Sequence, residues 1–257
     1  MLLCVDTGNT NTVLAIFDGE TLVRSWRIKT DPRATADELA LTFRGLLADD
    51  DVQVSGICVS STVPQALSEL RTMFGRYYAD VPTVIVAPGV RTGVKLAIDN
   101  PREVGADRIV NTYAAFQMFG GPSLIVDFGT STNIDVISED GEFLGGAFAP
   151  GIEISIDALA SRAAQLHKIE PVKPRSVIGK NTVECLQSGI IYGFAGQIDG
   201  LVRRIIAELG GEVAVVIATG GLAPIIIGEC ETITHHEPML TLHGLRMVFE
   251  RNVDPVA

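Results

Sequence analysis

Two short segments rich in hydroxyl and amide side chains could bind an anion, and each follows an apolar run. The first reads DTGNTN from Asp6 to Asn11, and the second reads DFGTST from Asp127 to Thr132. A glycine in each segment allows turn geometry that other residues resist, so backbone N–H groups can point at phosphate oxygens. Neither segment contains the lysine of a P-loop, so positive charge must come from elsewhere, and Mg²⁺ held through Asp6 would supply it. An ordinary hydrogen-bonded turn is the alternative for each segment.

Two carboxylates in these regions have more than one interpretation. Asp127 follows an apolar run and is a metal ligand, a base or the cap of its own turn. Asp107 lies in the sequence Gly105-Ala106-Asp107-Arg108, which is predicted to begin a helix. It is either a helix cap beside a surface ion pair or a base that takes a hydroxyl proton, with Arg108 holding an anionic group.

Three further motifs are less specific. Thr219-Gly220-Gly221 follows an apolar strand and predicts either a purine site or a tight strand-to-helix turn. Asn181-Thr182 precedes Glu184 and predicts a helix cap. The pair His235-His236 lacks the spacing and the neighbours of a zinc site and is predicted to lie on the surface.

The elements around these motifs alternate in the manner of an α/β protein. Apolar runs over residues 2–5, 12–17 and 22–28 predict an antiparallel meander, and Thr35-x-x-Glu38 predicts the start of a helix that ends near Leu47. Strands near 54–59 and 83–86 flank a helix beginning at Pro64. Later in the chain we expect helices at 153–166, 182–209 and 240–250 and a strand at 213–218.

A repeat organises the chain. VDTGNTNTVLAIFDGE from Val5 and VDFGTSTNIDVISEDGE from Val126 share a strand, a D-x-G turn, a second strand and a Gly-Glu hairpin. This duplication predicts two similar subdomains that face each other across a cleft. Residues 1–119 would contain the first turn and Gly105-Ala106-Asp107-Arg108, and residues 120–257 the second turn and the possible purine site at Thr219-Gly220-Gly221.

Composition excludes several classes of protein. The 257 residues are 47% hydrophobic and carry a net charge of −11, which disfavours nucleic acid and anionic membranes as partners. We expect no membrane span and no signal peptide, and therefore a cytoplasmic protein. The four cysteines lack metal-site spacing and are expected to be buried free thiols.

Seven segments together resemble the type III pantothenate kinase family. They are DTGNTNTVLAIFDG, NPREVGADRIVNTYAAF, VDFGTSTNIDV, GGAFAPGIEIS, IGKNTVECLQSGIIYGFAGQIDGLV, IATGGLAP and LTLHGLRMVFERN, and they occur in family order along nearly the whole chain. The resemblance implies an α/β fold of duplicated actin-like (ribonuclease H-like) subdomains and a homodimer. It also implies ATP-dependent phosphorylation of the primary hydroxyl of pantothenate, the first step of coenzyme A synthesis.

The same resemblance assigns roles to individual residues. Asp107 would be the catalytic base, Asp127 would bind the K⁺ or NH₄⁺ that the family requires, and Asp6 would lie near Mg²⁺. ATP would contact Asp6, Thr7, Gly8, Asn9, Thr10, Asn11, Thr12, Val13 and Thr130. Pantothenate would contact Gly105, Ala106, Asp107, Arg108 and Thr182, the last of these near the dimer interface.

The chain departs from the family pattern at two places. Asn133-Ile134 replaces a threonine and an aromatic residue found in many relatives, and Ile98 lies near the position of a tyrosine that covers the substrate in some relatives. Two other functions fit the same residues, namely a kinase for another small alcohol and a nucleotide-binding regulatory protein without activity.

Overall fold

The computed structural model describes residues 1–48, 52–163 and 166–253. Contacts divide the chain into two compact units. The first unit combines Met1–Val94 and Arg102–Ala114 with the C-terminal residues from Leu240, and the second combines Lys95–Pro101 with Ala115–Met239. Each unit contains one five-stranded sheet.

The first sheet combines an antiparallel meander with two parallel strands. Its order is β3-β2-β1-β4-β5, and β1, β2 and β3 are antiparallel, whereas β1, β4 and β5 are parallel. The strands are β1 (Leu2–Thr7), β2 (Asn11–Asp18), β3 (Thr21–Lys29), β4 (Gly56–Ser61) and β5 (Thr83–Ile85). The helices that follow the meander are α1 (Ala36–Leu47), α2 (Pro64–Tyr77) and α3 (Ala106–Phe119).

Local sequence explains where α1 and α2 begin. The Thr35 side chain accepts a hydrogen bond from the Glu38 backbone N–H, and the Glu38 carboxylate accepts from the Thr35 N–H, which makes the predicted capping box. Pro64 occupies the first turn of α2, where a missing N–H costs nothing. Phe43 and Phe74 then pack edge to face in the core beneath the first sheet.

The second sheet has the order β8-β7-β6-β9-β10, again with an antiparallel meander and parallel additions. Its strands are β6 (Ser123–Phe128), β7 (Ser131–Ile137), β8 (Phe143–Pro150), β9 (Val215–Thr219) and β10 (His235–His236). The helices of this unit are α4 (Ile152–Arg162), α5 (Thr182–Glu208) and the short α6 (Ala223–Ile226). One buried cluster contains residues of β6, β7, β9, α4, α5 and α6.

The order of strands confirms the duplication. Read from the third strand of each meander, the two sheets have the same sequence of strands, with two antiparallel neighbours followed by two parallel ones. The two D-x-G turns occupy the same place in each sheet, between the first and second strands of its meander.

The last helix, α7 (Leu240–Asn252), lies apart from its neighbours in sequence. It contacts β1, β2 and β4, so it belongs to the first unit, although the sequence division placed it with residues 120–257. Gly56 makes this contact possible, because a Cβ there would lie 2.4 Å from the Phe249 ring. The buried Arg246 of this helix is paired with Glu250 one turn later.

Other predicted features agree with the structure in part. Helix α4 ends at Arg162 rather than near residue 166, and residues 164–165 of the predicted span lie outside the described residues. Asn181 caps α5, and His235 and His236 are exposed, as expected. All four cysteines are free and Cys4 and Cys58 are buried, but Cys230 is only partly buried and Cys185 is exposed, so the expectation of burial was wrong for Cys185 and holds only in part for Cys230. In the described ranges, we find no helix with the length and apolar character needed to cross a membrane.

Candidate active site

The first turn begins at Asp6, near the end of strand β1. Because β1 and β4 are parallel neighbours with Asp6 opposite Ser60, the two side chains share one face of the first sheet. The Ser60 hydroxyl donates a 2.6 Å hydrogen bond to Asp6 Oδ1. Burial raises the pKa of Asp6 to about 7, the Ser60 hydrogen bond opposes this rise, and the negative charge of Asp107 adds to it. Asp6 is therefore poised to lose a proton when a cation binds beside it.

Asp107 lies in the first turn of α3. Gly105 allows its carboxylate to fold back, because a Cβ at that position would lie 2.5 Å from Asp107 Oδ1. The Arg108 backbone N–H donates a 2.9 Å hydrogen bond to the same oxygen. Burial nevertheless raises the pKa of Asp107, and the Arg108 N–H and guanidinium oppose the rise. A carboxylate with a raised pKa at a helix N-terminus is suited to accept a proton.

Hydrogen bonds from β3 fix the first turn. The Gly8 N–H donates to the Asn11 carbonyl across 3.0 Å and closes the turn. Thr30, at the end of β3, donates from its hydroxyl to the Gly8 carbonyl at 2.8 Å and from its N–H to the Thr10 carbonyl at 3.0 Å. Its hydroxyl also lies 2.9 Å from the Thr12 hydroxyl. The anchored turn can present N–H groups to an anion without first having to become ordered.

The second turn is built around Asp127 in the second unit. A Cβ at Gly220 would lie 2.4 Å from Asp127 Oδ1 and 2.6 Å from the Phe128 carbonyl oxygen. Gly220 also has a φ of +90°, a conformation that L side chains rarely adopt. Both the close oxygen atoms and the backbone conformation therefore require glycine at this position. Two oxygen atoms therefore meet at the ends of β6 and β9.

A buried side-chain oxygen lies next to this pair. Asn133 is opposite Asp127 in the β6–β7 register, so the two side chains lie on the same face of the second sheet. Asn133 is 8% exposed, and its Oδ1 has no hydrogen-bond partner among the described residues. Carboxylate, amide and carbonyl oxygens suit a hard cation, so this set of donors fits K⁺ or NH₄⁺.

The N-terminus of α4 packs against the second turn. A Cβ at Gly151 would lie 2.1 Å from the Thr130 carbonyl oxygen and 2.8 Å from that of Gly129. Gly151 provides no side-chain cap, so the first N–H groups of α4 lack a side-chain acceptor at that position. A helix N-terminus with open N–H groups favours anions, and it lies next to the turn that contains Thr130.

The predicted site residues fall in two groups, one in each unit. Asp6, Asp107 and the first turn lie in one unit, and Asp127 and Thr130 in the other. Thr182 is exposed at the first position of α5. Sequence reasoning missed Ser60, Thr30 and Gly151, although Ser60 lies at the end of the apolar strand β4, where a polar residue is a usable signal.

Comparison with known proteins assigns the chain to a family. The model described as type III pantothenate kinase matches residues 2–204. The chain belongs to the type III pantothenate kinase family. A relative with that name from Salinispora arenicola (strain CNS-205) is 70% identical over 253 residues, covering 98% of this chain and 100% of the relative. Another with the same name from Parafrankia sp. (strain EAN1pec) is 64% identical over 255 residues, covering 99% and 100%.

Solved structures support the fold of this type III pantothenate kinase family member. The activator of the 2-hydroxyisocaproyl-CoA dehydratase from Clostridium difficile, solved with ADPNP, aligns with a TM-score of 0.59 at 14% identity, covering 100% of this chain and 99% of that one. The expectation of an α/β fold with duplicated actin-like subdomains is confirmed. As a member of a kinase family, the chain is an enzyme.

Proposed function

We propose that this enzyme transfers the terminal phosphoryl group of ATP to the primary hydroxyl of pantothenate, forming 4′-phosphopantothenate. The observation that carries the proposal is the 70% identity over 98% of the chain to a relative named type III pantothenate kinase. The reaction is the first step of coenzyme A biosynthesis.

Asp107 is the proposed base. Its carboxylate accepts the proton of the substrate hydroxyl while that oxygen attacks the terminal phosphorus, and the bond to the bridging oxygen of ADP breaks. The raised pKa of Asp107 brings its proton affinity closer to that required at neutral pH. The Arg108 guanidinium contacts pantothenate, whose carboxylate suits a bidentate partner. The other proposed pantothenate contacts are Gly105, Ala106, Asp107 and the exposed Thr182.

The two turns bind the phosphates of ATP in this proposal. The segment from Asp6 to Val13 supplies one set of N–H groups, and Thr130 supplies contacts from the second turn beside the N-terminus of α4. Gly220 and Gly221 follow β9 and are the proposed adenosine-side contact.

Asp6 is the proposed Mg²⁺ ligand. The Asp6 carboxylate and the neighbouring Asp107 carboxylate, whose negative charge raises the pKa of Asp6, together with substrate phosphates match the ligands that Mg²⁺ uses in kinases. Within the described residues, no three acidic, histidine or cysteine side chains gather as a metal site, so the remaining ligands would be phosphate oxygens and water. When bound, Mg²⁺ neutralises charge on the transferring phosphoryl group.

Asp127 is the proposed ligand of the monovalent cation, with the Phe128 carbonyl and the Asn133 Oδ1 as neighbouring oxygens. When bound, this cation adds positive charge near the phosphates, which the turns themselves lack. The homodimer and the cytoplasmic location stay predictions.

A coupled assay tests this function. Purified protein, ATP, Mg²⁺ and K⁺ are incubated with pantothenate or with a panel of other small alcohols, and ADP release is followed with ³¹P NMR identification of the product. We expect phosphorylation of pantothenate in preference to the other alcohols. ATP binding without transfer to any alcohol would favour a regulatory protein, and full activity in a sodium-only buffer would contradict the role of Asp127.

A further inference from the structure

Strand β3 places two cations on the face of the first sheet that carries Asp6. In the register of the sheet, Asp6 lies opposite Val13, and Val13 lies opposite Arg27. Directly opposed residues of neighbouring strands project to the same face, so Asp6, Val13 and Arg27 form one row across three strands. Lys29 lies two residues further along β3, opposite Asn11, and projects to that face as well.

The other face of β3 confirms this assignment of side chains. Trp26 and Ile28 pack against the buried cluster beneath the first sheet. Arg24, two residues before Trp26, lies on that same face, with its guanidinium carbon 5.6 Å from the centroid of the Trp26 ring. The strand thus separates Arg24 from Arg27 by sheet face, although both are exposed cations on one short strand.

Neither Arg27 nor Lys29 is neutralised within the described part of the chain. Both are exposed, and no ion pair or hydrogen bond of their side chains occurs among those residues. Their situation contrasts with the −11 net charge of the whole chain, in which acidic side chains outnumber basic ones. Two unpaired cations beside a turn that lacks lysine and arginine provide positive charge where the turn itself has none.

The distances in a sheet allow Arg27 to reach an anion near Asp6. Neighbouring strands are about 4.8 Å apart, so the backbones of Asp6 and Arg27 are separated by roughly 10 Å. Val13 between them is small and only partly buried, so the long Arg27 side chain can extend over it. A guanidinium binds phosphate oxygens in a bidentate manner, whereas an ammonium such as Lys29 acts as a point charge.

We propose that Arg27 binds the phosphate chain of the nucleotide held at the first turn, and that Lys29 adds a weaker, screened attraction. This inference rests on the proposed function, since it takes ATP as the anion. It adds a residue outside the Asp6-to-Val13 segment to the phosphate site and gives β3 a role in binding.

The test compares Arg27→Gln with Arg24→Gln. Both variants remove one positive charge from exposed positions of β3, but only Arg27 lies on the Asp6 face. We would measure dissociation constants for Mg-ATP, Mg-ADP and AMP by nucleotide-dependent thermal shift, and the KM for ATP in the coupled assay. For Arg27→Gln we expect ATP binding roughly 10- to 100-fold weaker, a smaller loss for ADP and no change for AMP. Arg24→Gln should bind all three nucleotides as the wild type does.

Two further variants guard against a merely structural effect. Arg27→Lys keeps the charge but loses the bidentate geometry, so it should recover only part of the ATP affinity. Lys29→Gln should weaken binding only about 2- to 5-fold, with the loss disappearing at high salt. The inference is overturned if Arg27→Gln leaves ATP affinity unchanged, weakens AMP as much as ATP, or matches Arg24→Gln.

The outcomes also separate this inference from the proposed function. If the wild type binds ATP but does not phosphorylate pantothenate, the proposed function is wrong. The dissociation constants for Mg-ATP, Mg-ADP and AMP still decide the role of Arg27 in that case. If Arg27→Gln phosphorylates pantothenate normally with an unchanged KM for ATP, only the inferred role of Arg27 is contradicted. A wild type with no affinity for ATP overturns both.

Discussion

Two carboxylates with raised pKa values, Asp6 and Asp107, lie near one another in the first unit and have separate roles in the proposed reaction. Asp6 accepts a hydrogen bond from the Ser60 hydroxyl, whereas Asp107 accepts one from the Arg108 backbone N–H in its own helix. In the proposed reaction Asp6 holds the cation and Asp107 accepts the proton, and each carboxylate keeps further lone pairs for its role.

Replacement of Asp107 by asparagine tests the base. Asp107→Asn should lower kcat by about 10²- to 10⁴-fold, because the amide cannot accept the hydroxyl proton, and should leave ATP affinity within a few-fold. The matched control is Asp80→Asn, an exposed carboxylate beyond the end of α2. Turnover of Asp107→Asn equal to that of the control would remove Asp107 from the mechanism.

The raised pKa of Asp6 predicts how stability depends on pH in the absence of metal and nucleotide. The pKa of Asp6 is about 7 in the folded chain, above its value in the unfolded chain. Below about pH 4 Asp6 is protonated in both states and does not lower the free energy of unfolding. That free energy falls as pH rises through 7, because the buried carboxyl group must then ionise. Asp6→Asn removes that loss. We expect equal melting temperatures near pH 4.5 and a higher melting temperature for Asp6→Asn at pH 8.

The size of this effect is bounded by the shift itself. A rise from 3.8 to about 7 corresponds to at most about 4 to 5 kcal/mol at alkaline pH. Differential scanning calorimetry at several pH values provides the comparison. A lower melting temperature for Asp6→Asn at pH 8 would show that Asp6 stabilises the folded chain, contrary to the pKa argument.

At the residue scale, sequence could identify the carboxylates but not their partners. Asp6 and Asp107 were conspicuous because each adjoins a glycine-containing turn or helix start. Ser60 is 54 positions from Asp6, and only the parallel pairing of β1 and β4 brings them together. Their pKa values depend on burial, which no local pattern contains.

At the scale of elements, the end of β3 holds the first turn in place. Thr30→Val keeps the shape of the side chain but removes the hydroxyl that donates to the Gly8 carbonyl and meets Thr12. We expect the KM for ATP to rise about 5- to 30-fold with a smaller change in kcat, because one or two hydrogen bonds are lost. Thr21→Val, at the other end of β3, is the control. Equal KM values for the two variants would contradict the anchoring role.

The contact between α4 and the second turn is equally testable. In Gly151→Ala the new Cβ would meet the Thr130 carbonyl at 2.1 Å, so either the helix or the turn must move. We expect weaker ATP binding and a melting temperature lower by several degrees. Gly189→Ala in α5 is the control, because a Cβ there meets nothing within 4 Å. An unchanged affinity for ATP in Gly151→Ala would separate α4 from the phosphate site.

Element types were predictable where a local signal existed. The capping box gave the start of α1, Pro64 that of α2 and Asn181 that of α5. Strand β10 has only two residues and is defined by its pairing with β9, so no pattern announced it. The importance of Gly151 was likewise hidden, since it depends on a contact with a turn 21 positions earlier.

At the scale of the whole molecule, the first unit depends on the last helix. A chain ending at Met239 lacks α7 and uncovers the face of β1 and β4 that contains Cys4 and Cys58. We expect this truncated chain to lose the cooperative unfolding of the first unit, because a large apolar contact is missing.

Thiol titration with a disulfide reagent measures this loss. In the complete chain Cys185 should react quickly and Cys230 more slowly, while Cys4 and Cys58 stay protected, because they are buried and burial raises their pKa. In the truncated chain Cys4 and Cys58 should react quickly as well, while Cys230 in the second unit keeps its slower rate. Protection of Cys4 and Cys58 without α7 would show that the strands fold independently of it.

The duplication was visible in sequence, and the closing helix was not. The two D-x-G turns retain residues that the strand-turn-strand geometry requires, so the repeat is recognisable in the amino-acid sequence. Helix α7 packs against strands more than 180 positions earlier, and its contact residues, such as Gly244 beneath Val110, have no distinctive pattern. Its apolar periodicity predicted a helix but not the unit to which it belongs.

The position of α7 also determines when the first unit can finish folding during synthesis. The strands that present Asp6 and Ser60 are translated well before α7, the helix that covers their other neighbours, Cys4 and Cys58. A nascent chain therefore carries an uncovered apolar sheet face until α7 has been translated, and chaperones bind surfaces of this kind.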